Sequence, residues 1–380
     1  MDAPGKAANW KWPVGIVLGL IAAVLLMPLL GGEGRPKSTV GSTQSDCDGA
    51  IRELVIQYTP DSADIVAVAF ADFLRQLPAS VTVHVVVRDR AAFDDLARRV
   101  GSTGCTLHPV LVQHEITSWA RDRWLALRPA GDSRAVTLLS PQGELGADGW
   151  PARRGDESVG ESLAAALAPE VAAVRSELYF DGGDFVVDNE TAFVTPNVRM
   201  RNLQRTVETE QELQQRLGVL LGLEVVLMKN APDHHAGMYM MTLGKRRVLV
   251  GDPRLARTLL TPEQVSALPL KGGADFSEET AAKFDAVAEQ CRAAGYDVIR
   301  IPIAPGGDGR TYLTYLNSIL DDRDGRRVVY MPQFAGADVL NRAAADVWRQ
   351  AGFEVKPVDC TACYGYFGSL RCLVSVLRRD

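Results

Sequence analysis

Past residue 50 the apolar and polar positions keep returning to one order: an amphipathic helix, an apolar strand, a polar loop and a hairpin. The spacing predicts a helix over Ser158–Leu167, a strand over Val174–Phe180, the loop Asp181-Gly182-Gly183-Asp184, and a hairpin of Phe185–Val187 with Ala192–Thr195. The order recurs as the helix Glu208–Leu217, the strand Leu223–Met228, the loop Asp233-His234-His235, and a hairpin of Met238–Leu243 with Arg247–Val250. It recurs again as Glu278–Ala294, Asp297–Ile303, the loop Gly306–Gly309, and Tyr312–Leu320 with Arg327–Met331. The last unit runs through Val339–Ala351, Phe353–Val358, Tyr364–Gly368 and the apolar run Leu370–Leu377. The first is longer. It holds strands at Leu54–Tyr58, Val81–Val87 and Leu107–Val112, helices near Ala63–Leu77 and Ala91–Val100, the loop Trp119–Arg123, and a hairpin of Trp124–Leu127 with Ala135–Leu139. Short strands of period two cannot bury both faces alone. Five such modules around a pseudo-fivefold axis can, and their loops then converge on one mouth. The expected fold is α/β, a five-bladed pseudo-symmetric propeller over residues 51–380.

The beginning of the chain follows a different pattern. From Trp12 to Gly32 no residue is charged, and a helix of that length reaches about 31 Å, enough to cross the hydrocarbon core of a bilayer. Trp10 and Trp12 stand at its edge, where aromatic rings favour the interface. No small-residue cleavage site follows Leu30, which favours an anchor over a removed signal. The expectation is a tail at 1–12, a transmembrane anchor or signal at 13–32 and a polar, flexible linker at 33–50. The protein would then be single-pass, with its soluble domain outside the cytoplasm.

The chain has 380 residues, 47% apolar and 23% charged, which excludes global disorder. A net charge of −6 argues against a nucleic-acid partner, which calls for a basic surface. Six cysteines are too few for a disulfide-built scaffold. Cys360 and Cys363 have C-x-x-C spacing but no second pair of ligands, so no metal is expected. Gly306–Gly309 lacks the lysine and the following helix of a phosphate-binding loop.

The recurring loops carry Asp122, Asp181, His235, Asp308 and Cys372. A thiolate is a nucleophile, an imidazole moves protons near neutral pH, and carboxylates match the fork of donors on a planar guanidinium. The set therefore fits attack on an amidine-type carbon. The residues alone leave other hydrolases and thiol-dependent acyl transfer equally open.

At these positions the sequence resembles the agmatine deiminases and the bacterial-type peptidylarginine deiminases, members of the guanidino-group-modifying enzymes. Trp119-Ala120-Arg121-Asp122 resembles the family's W-x-R-D, and Asp181-Gly182-Gly183-Asp184 its E-G-G-N/D. His235-Ala236-Gly237 resembles its H-x-D. Tyr315-Leu316-Asn317, followed by Val328–Gln333, resembles its Y-x-N and the strand after it. Gly368-Ser369-Leu370-Arg371-Cys372 resembles the terminal G-G-x-x-C. The resemblance covers about residues 50–380 and implies the pentein-like propeller with no cofactor. It implies that Cys372 attacks the guanidinium carbon, that His235 serves as acid and then base, and that Asp181 orients His235. It further implies a clamp by Asp122 beside Trp119 and Asp184. The substrate would be agmatine, arginine or an arginyl peptide, converted to a ureido product and ammonia through a thiouronium intermediate, which would place agmatine turnover in polyamine biosynthesis.

The sequence also departs from that pattern. Gly237 stands where the family has a guanidinium-binding Asp, and either Asp233, from a different direction, or Asp184 would have to replace it. Asp181 is one methylene shorter than the family's Glu. Arg123 would either add positive charge near a cation site or bind a substrate carboxylate. These departures leave open an alternative: a catalytically impaired propeller serving as a membrane-associated binding or scaffold domain.

Overall fold

The computed structural model describes residues 41–129, 131, 134–143 and 151–380. The uncharged run at 13–32 lies outside them. Among the described residues no helix is long and apolar enough to cross a membrane. That finding corrects the expected single-pass localisation, which no described element supports.

The fold is α/β and is built by repetition of one step. A hairpin is followed by helices and then by a strand parallel to the hairpin's second arm. Leu125–Arg128 pairs antiparallel with Val136–Ser140, which runs parallel to Val171–Arg175. The same step joins Phe185–Val187, Thr191–Val194 and Glu224–Leu227. It returns in Met240–Gly244, Arg247–Asp252 and Asp297–Pro302, and in Ile319–Arg323, Arg326–Gln333 and Glu354–Asp359. Parallel neighbours need a crossover, and helices supply each one. Glu210–Leu221 starts on Thr209, whose side chain accepts from Glu212 N, and ends at the left-handed Gly222. Glu278–Ala293 starts on Ser277, which accepts from Thr280 N.

Another sheet joins the two ends of the described chain. Val374–Arg379 pairs antiparallel with Ile51–Gln57, and Thr82–Val87 and Thr106–Leu111 continue it in parallel. Its crossovers are the helices Ala63–Gln76 and Arg90–Val100. None of the described sheets closes on itself.

Two expected strands break, and both breaks serve the site. The run Tyr312–Leu320 becomes a short strand, Tyr312–Leu313, a turn, and a new strand from Ile319. In the turn Thr314 donates to Met238 O at 2.8 Å and Ser318 to Tyr315 O at 3.0 Å. The run Leu370–Leu377 starts as a helical turn, Leu370–Leu373, before the strand Val374–Arg379. The stretch expected to be a flexible linker is packed from residue 41 onward. Ser42–Thr43 pairs with Leu127–Arg128, and Cys47 is buried.

Candidate active site

Cys372, His235, Asp122, Trp119 and Asp233 line one cavity of about 670 Å³, together with Arg153. They come from separate modules. Trp119 and Asp122 lie in the turn before Leu125–Arg128, His235 caps the turn Ala236–Met238, and Cys372 sits in the helical turn Leu370–Leu373. Asp308 enters from the loop before Tyr312.

The imidazole of His235 lies between two carboxylates. Its Nδ1 is 3.9 Å from Asp122 Oδ1 and its Nε2 is 3.7 Å from Asp181 Oδ2. Burial opposes a charge on this ring, but Asp181, Cys372, Asp122 and Asp184 outweigh it and hold the His235 pKa well above 6.5. Burial would likewise raise Asp181, yet His235, Arg201 and Arg153 keep it well below the usual carboxylate value. Burial and the His235 charge press His234 down to about 3, so the adjacent ring is neutral near pH 7. A Cβ on Gly183 would lie 2.4 Å from His235 Nδ1, so the glycine lets the ring approach the backbone.

Cys372 is a free, buried thiol. Asn317 holds it from both ends: Asn317 Nδ2 donates to the sulfur at 3.4 Å, and Asn317 Oδ1 accepts from Cys372 N at 3.3 Å. Asn317 lies in the turn that interrupts the expected strand between Leu313 and Ile319. On the far side Arg371 donates to Asp46 Oδ2 and to Phe185 O, both at 2.8 Å. Arg121 stands 3.5 Å from the same Asp46. Burial and then Arg371 lower the Arg121 pKa to about 10, against Asp46, Cys372 and Asp122.

The carboxylates are heavily engaged by the chain's own arginines. Arg153 Nη1 donates to Asp122 Oδ2 at 2.7 Å, and its Nη2 reaches Asp181 at 3.5 Å. Asp122 Oδ1 is buried, has no hydrogen-bond partner and faces His235 Nδ1 at 3.9 Å. Arg123 does not line the cavity. It is buried and donates to Asp181 Oδ1 at 2.7 Å, so the structure does not offer it to a substrate carboxylate. Asp184 does not line it either: it accepts from Asp181 N and Thr195 Oγ1, both at 2.8 Å, and pairs with Arg201, which makes it a brace for the Asp181 loop. Asp233 lines the cavity from an exposed position.

The space beside Gly237 is already filled. A Cβ there would lie 2.9 Å from Arg371 Nη1 and 3.4 Å from Asn317 Nδ2. A guanidinium of the protein thus occupies the side where the resembled family has a second carboxylate. The sequence pattern gave Arg153 no signal, because its pairing with Asp122 is tertiary. Asn317 was visible only as part of a motif. Among the described residues no group of side chains could hold a metal ion.

No family model matches the chain, and no curated protein does. Solved structures do. The agmatine deiminase of C. jejuni aligns with a TM-score of 0.62 at 12% identity, over 93% of this chain and 99% of that one. The agmatine deiminase of Enterococcus faecalis aligns at 0.64 and 13% identity, over 90% and 99%. A crystal structure provisionally described as a peptidyl-arginine deiminase aligns at 0.67 and 14%, over 90% and 100%. The chain has the fold of these deiminases. The match is structural, and at this identity the residues of the cavity have to be argued from their own geometry.

Proposed function

We propose that the protein is a hydrolase of the guanidino group, releasing ammonia and leaving a ureido product, with agmatine or an arginine-like compound as substrate. One observation carries the reading: a thiol, an imidazole set beside carboxylates that favour its charged form, and a carboxylate with one oxygen free of hydrogen bonds line a single cavity. In this reading Cys372 Sγ attacks the guanidinium carbon as the thiolate, its proton already given up to solvent, while Asp122 Oδ1 accepts from a substrate N–H. The tetrahedral adduct expels one amino group, which takes the His235 proton and leaves as ammonia. The carbon stays on sulfur as a thiouronium. His235, now neutral, removes a proton from water, and the water oxygen adds to the same carbon. The C–S bond then breaks with its electron pair going to sulfur, which restores the thiolate; the hydroxyl proton on the carbon passes to the released ammonia, giving ammonium and the neutral ureido product, and His235 keeps the proton taken from water. Asp181 keeps the imidazole oriented and charged for the first half. The sheets of three or more strands are read as five blades around this cavity, which is how such distant segments meet.

The experiment is an assay of ammonia and ureido product with agmatine, arginine and an arginyl peptide, alongside labelling by a haloacetamidine. Turnover lost in Cys372→Ser and label found on Cys372 support the reading; no turnover and no label reject it. A second reading, a catalytically silent binding domain, is favoured by Arg153 on Asp122 and by Arg371 beside Gly237. The same assay separates the two.

A further inference from the structure

The rim of the cavity contains two aromatic side chains that the reaction does not use. Tyr366 is 55% exposed and Phe367 is 40% exposed, among the large apolar residues most open to solvent. Both line the cavity that holds Cys372. Phe367 has φ 68 and ψ 23, the left-handed region. A bulky residue is an outlier there, and glycine is the residue that takes this conformation without strain.

The backbone has a clear reason to turn at this point. The next residue, Gly368, passes beneath Trp119, where a Cβ would lie 2.5 Å from the indole, and leads on to Cys372. A glycine at 367 would make the same turn at lower cost. The ring is not there to fill a core either, since much of it faces solvent. It is nevertheless held in place. Arg310 stands 4.8 Å and Lys271 5.3 Å from its centroid, and Lys271 Nζ also donates to Gly365 O at 2.7 Å. Strain kept at a cavity edge, on a braced and exposed aromatic ring, points to a ligand.

We propose that Tyr366 and Phe367 form a subsite for an apolar or aromatic group carried by the substrate beyond its guanidinoalkyl arm. This rests on the guanidino-hydrolase reading and specifies its substrate: a guanidinoalkyl compound that carries an aromatic or apolar group at the far end of its arm, rather than bare agmatine. The cavity, about 670 Å³, falls in the range of about 300–1,000 Å³ that encloses drug-sized ligands. A slender alkylguanidine fills only part of it and leaves both rings wet.

The test compares N-benzoylagmatine with agmatine in the wild type, Tyr366→Ala and Phe367→Gly. Wild type is expected to favour the benzoyl compound about tenfold in kcat/KM, through KM. That ratio falls toward one in Phe367→Gly, which also removes the left-handed strain and so keeps the fold, and it falls in Tyr366→Ala. Equal kcat/KM for both compounds in wild type, or a preference that survives Phe367→Gly, overturns the subsite. If neither compound is turned over, the reaction assignment fails, and calorimetric binding decides the subsite by itself. Benzoyl-dependent binding lost in Phe367→Gly upholds it, and equal binding of the two compounds removes it.

Discussion

Arg153 Nη1 lies 2.7 Å from Asp122 Oδ2. The carboxylate that would clamp a substrate guanidinium thus already holds a guanidinium from its own chain. Hydrogen bonds to charged groups contribute about 1.5–3 kcal/mol, so this contact withholds Oδ2 from a two-oxygen clamp and leaves the substrate only Oδ1. Arg153→Ala is expected to raise kcat/KM for agmatine about tenfold, mainly by lowering KM. It also leaves a buried carboxylate short of its partner, at a cost of roughly 3 kcal/mol in unfolding stability. Saturating agmatine restores part of that loss. Steady-state kinetics and denaturant melts with and without ligand check both halves. A fall in kcat/KM would mean that Arg153 holds Asp122 in place for the substrate.

The His235 pKa predicts the pH profile. A histidine raised in the folded state contributes stability that is complete below about 6.5 and disappears as pH climbs through the folded value. Asp181, which is lowered, contributes stability above about 3.9 that disappears as pH falls through its folded value. Activity that needs the His235 proton is therefore expected to hold through pH 6.5 and decline well above it. Asp181→Asn removes the foremost support for the charge and should bring the decline down toward 6.5. Declines centred near 6.5 in both proteins would contradict the assignment.

Asn317 acts on the nucleophile through two contacts and is a positioning residue. A misplacement of the attacking atom by about 1 Å can cost about a hundredfold in rate. Asn317→Ala is expected to lower kcat by about that factor with KM nearly unchanged, and to alter the alkylation rate of Cys372. Unchanged alkylation together with a raised KM would move Asn317 into substrate binding.

Gly183→Ala tests the close approach of the imidazole. With a Cβ at 2.4 Å from Nδ1 the ring has to leave its place between Asp122 and Asp181. Overpacking of this kind costs about 1–3 kcal/mol in stability. Turnover should fall far more than the melting temperature does, and a variant with normal turnover would show that the ring position is not needed.

The recurrent helices and hairpins were legible because their apolar period is local. Helix Glu278–Ala293 and hairpin Phe185–Val187 with Thr191–Val194 form within a residue or two of where the pattern placed them. The breaks at Thr314–Ser318 and Leu370–Leu373 were not legible. A short apolar run reads the same whether it extends as a strand or turns within the core. Of the five loop residues Asp122, Asp181, His235, Asp308 and Cys372, four line one cavity, while Asp181 is not among its lining and meets His235 Nε2 at 3.7 Å. Sequence spacing could not show that Asp184 braces a loop, that Arg123 is sunk onto Asp181, or that Arg371 fills the space at Gly237. Each depends on which distant side chain reaches a carboxylate first.

Asp46 joins the segment before the first core strand to Arg371, the immediate neighbour of Cys372, and stands against Arg121 as well. Burial would favour its neutral form, but the two arginines keep its carboxyl below the usual value, so the anchor stays ionic near neutral pH. The chain ahead of the first core strand therefore supplies the counterion of the nucleophile's neighbour, and a change that removes the Asp46 carboxylate leaves Arg371 with its contact to Phe185 O but without its charged partner.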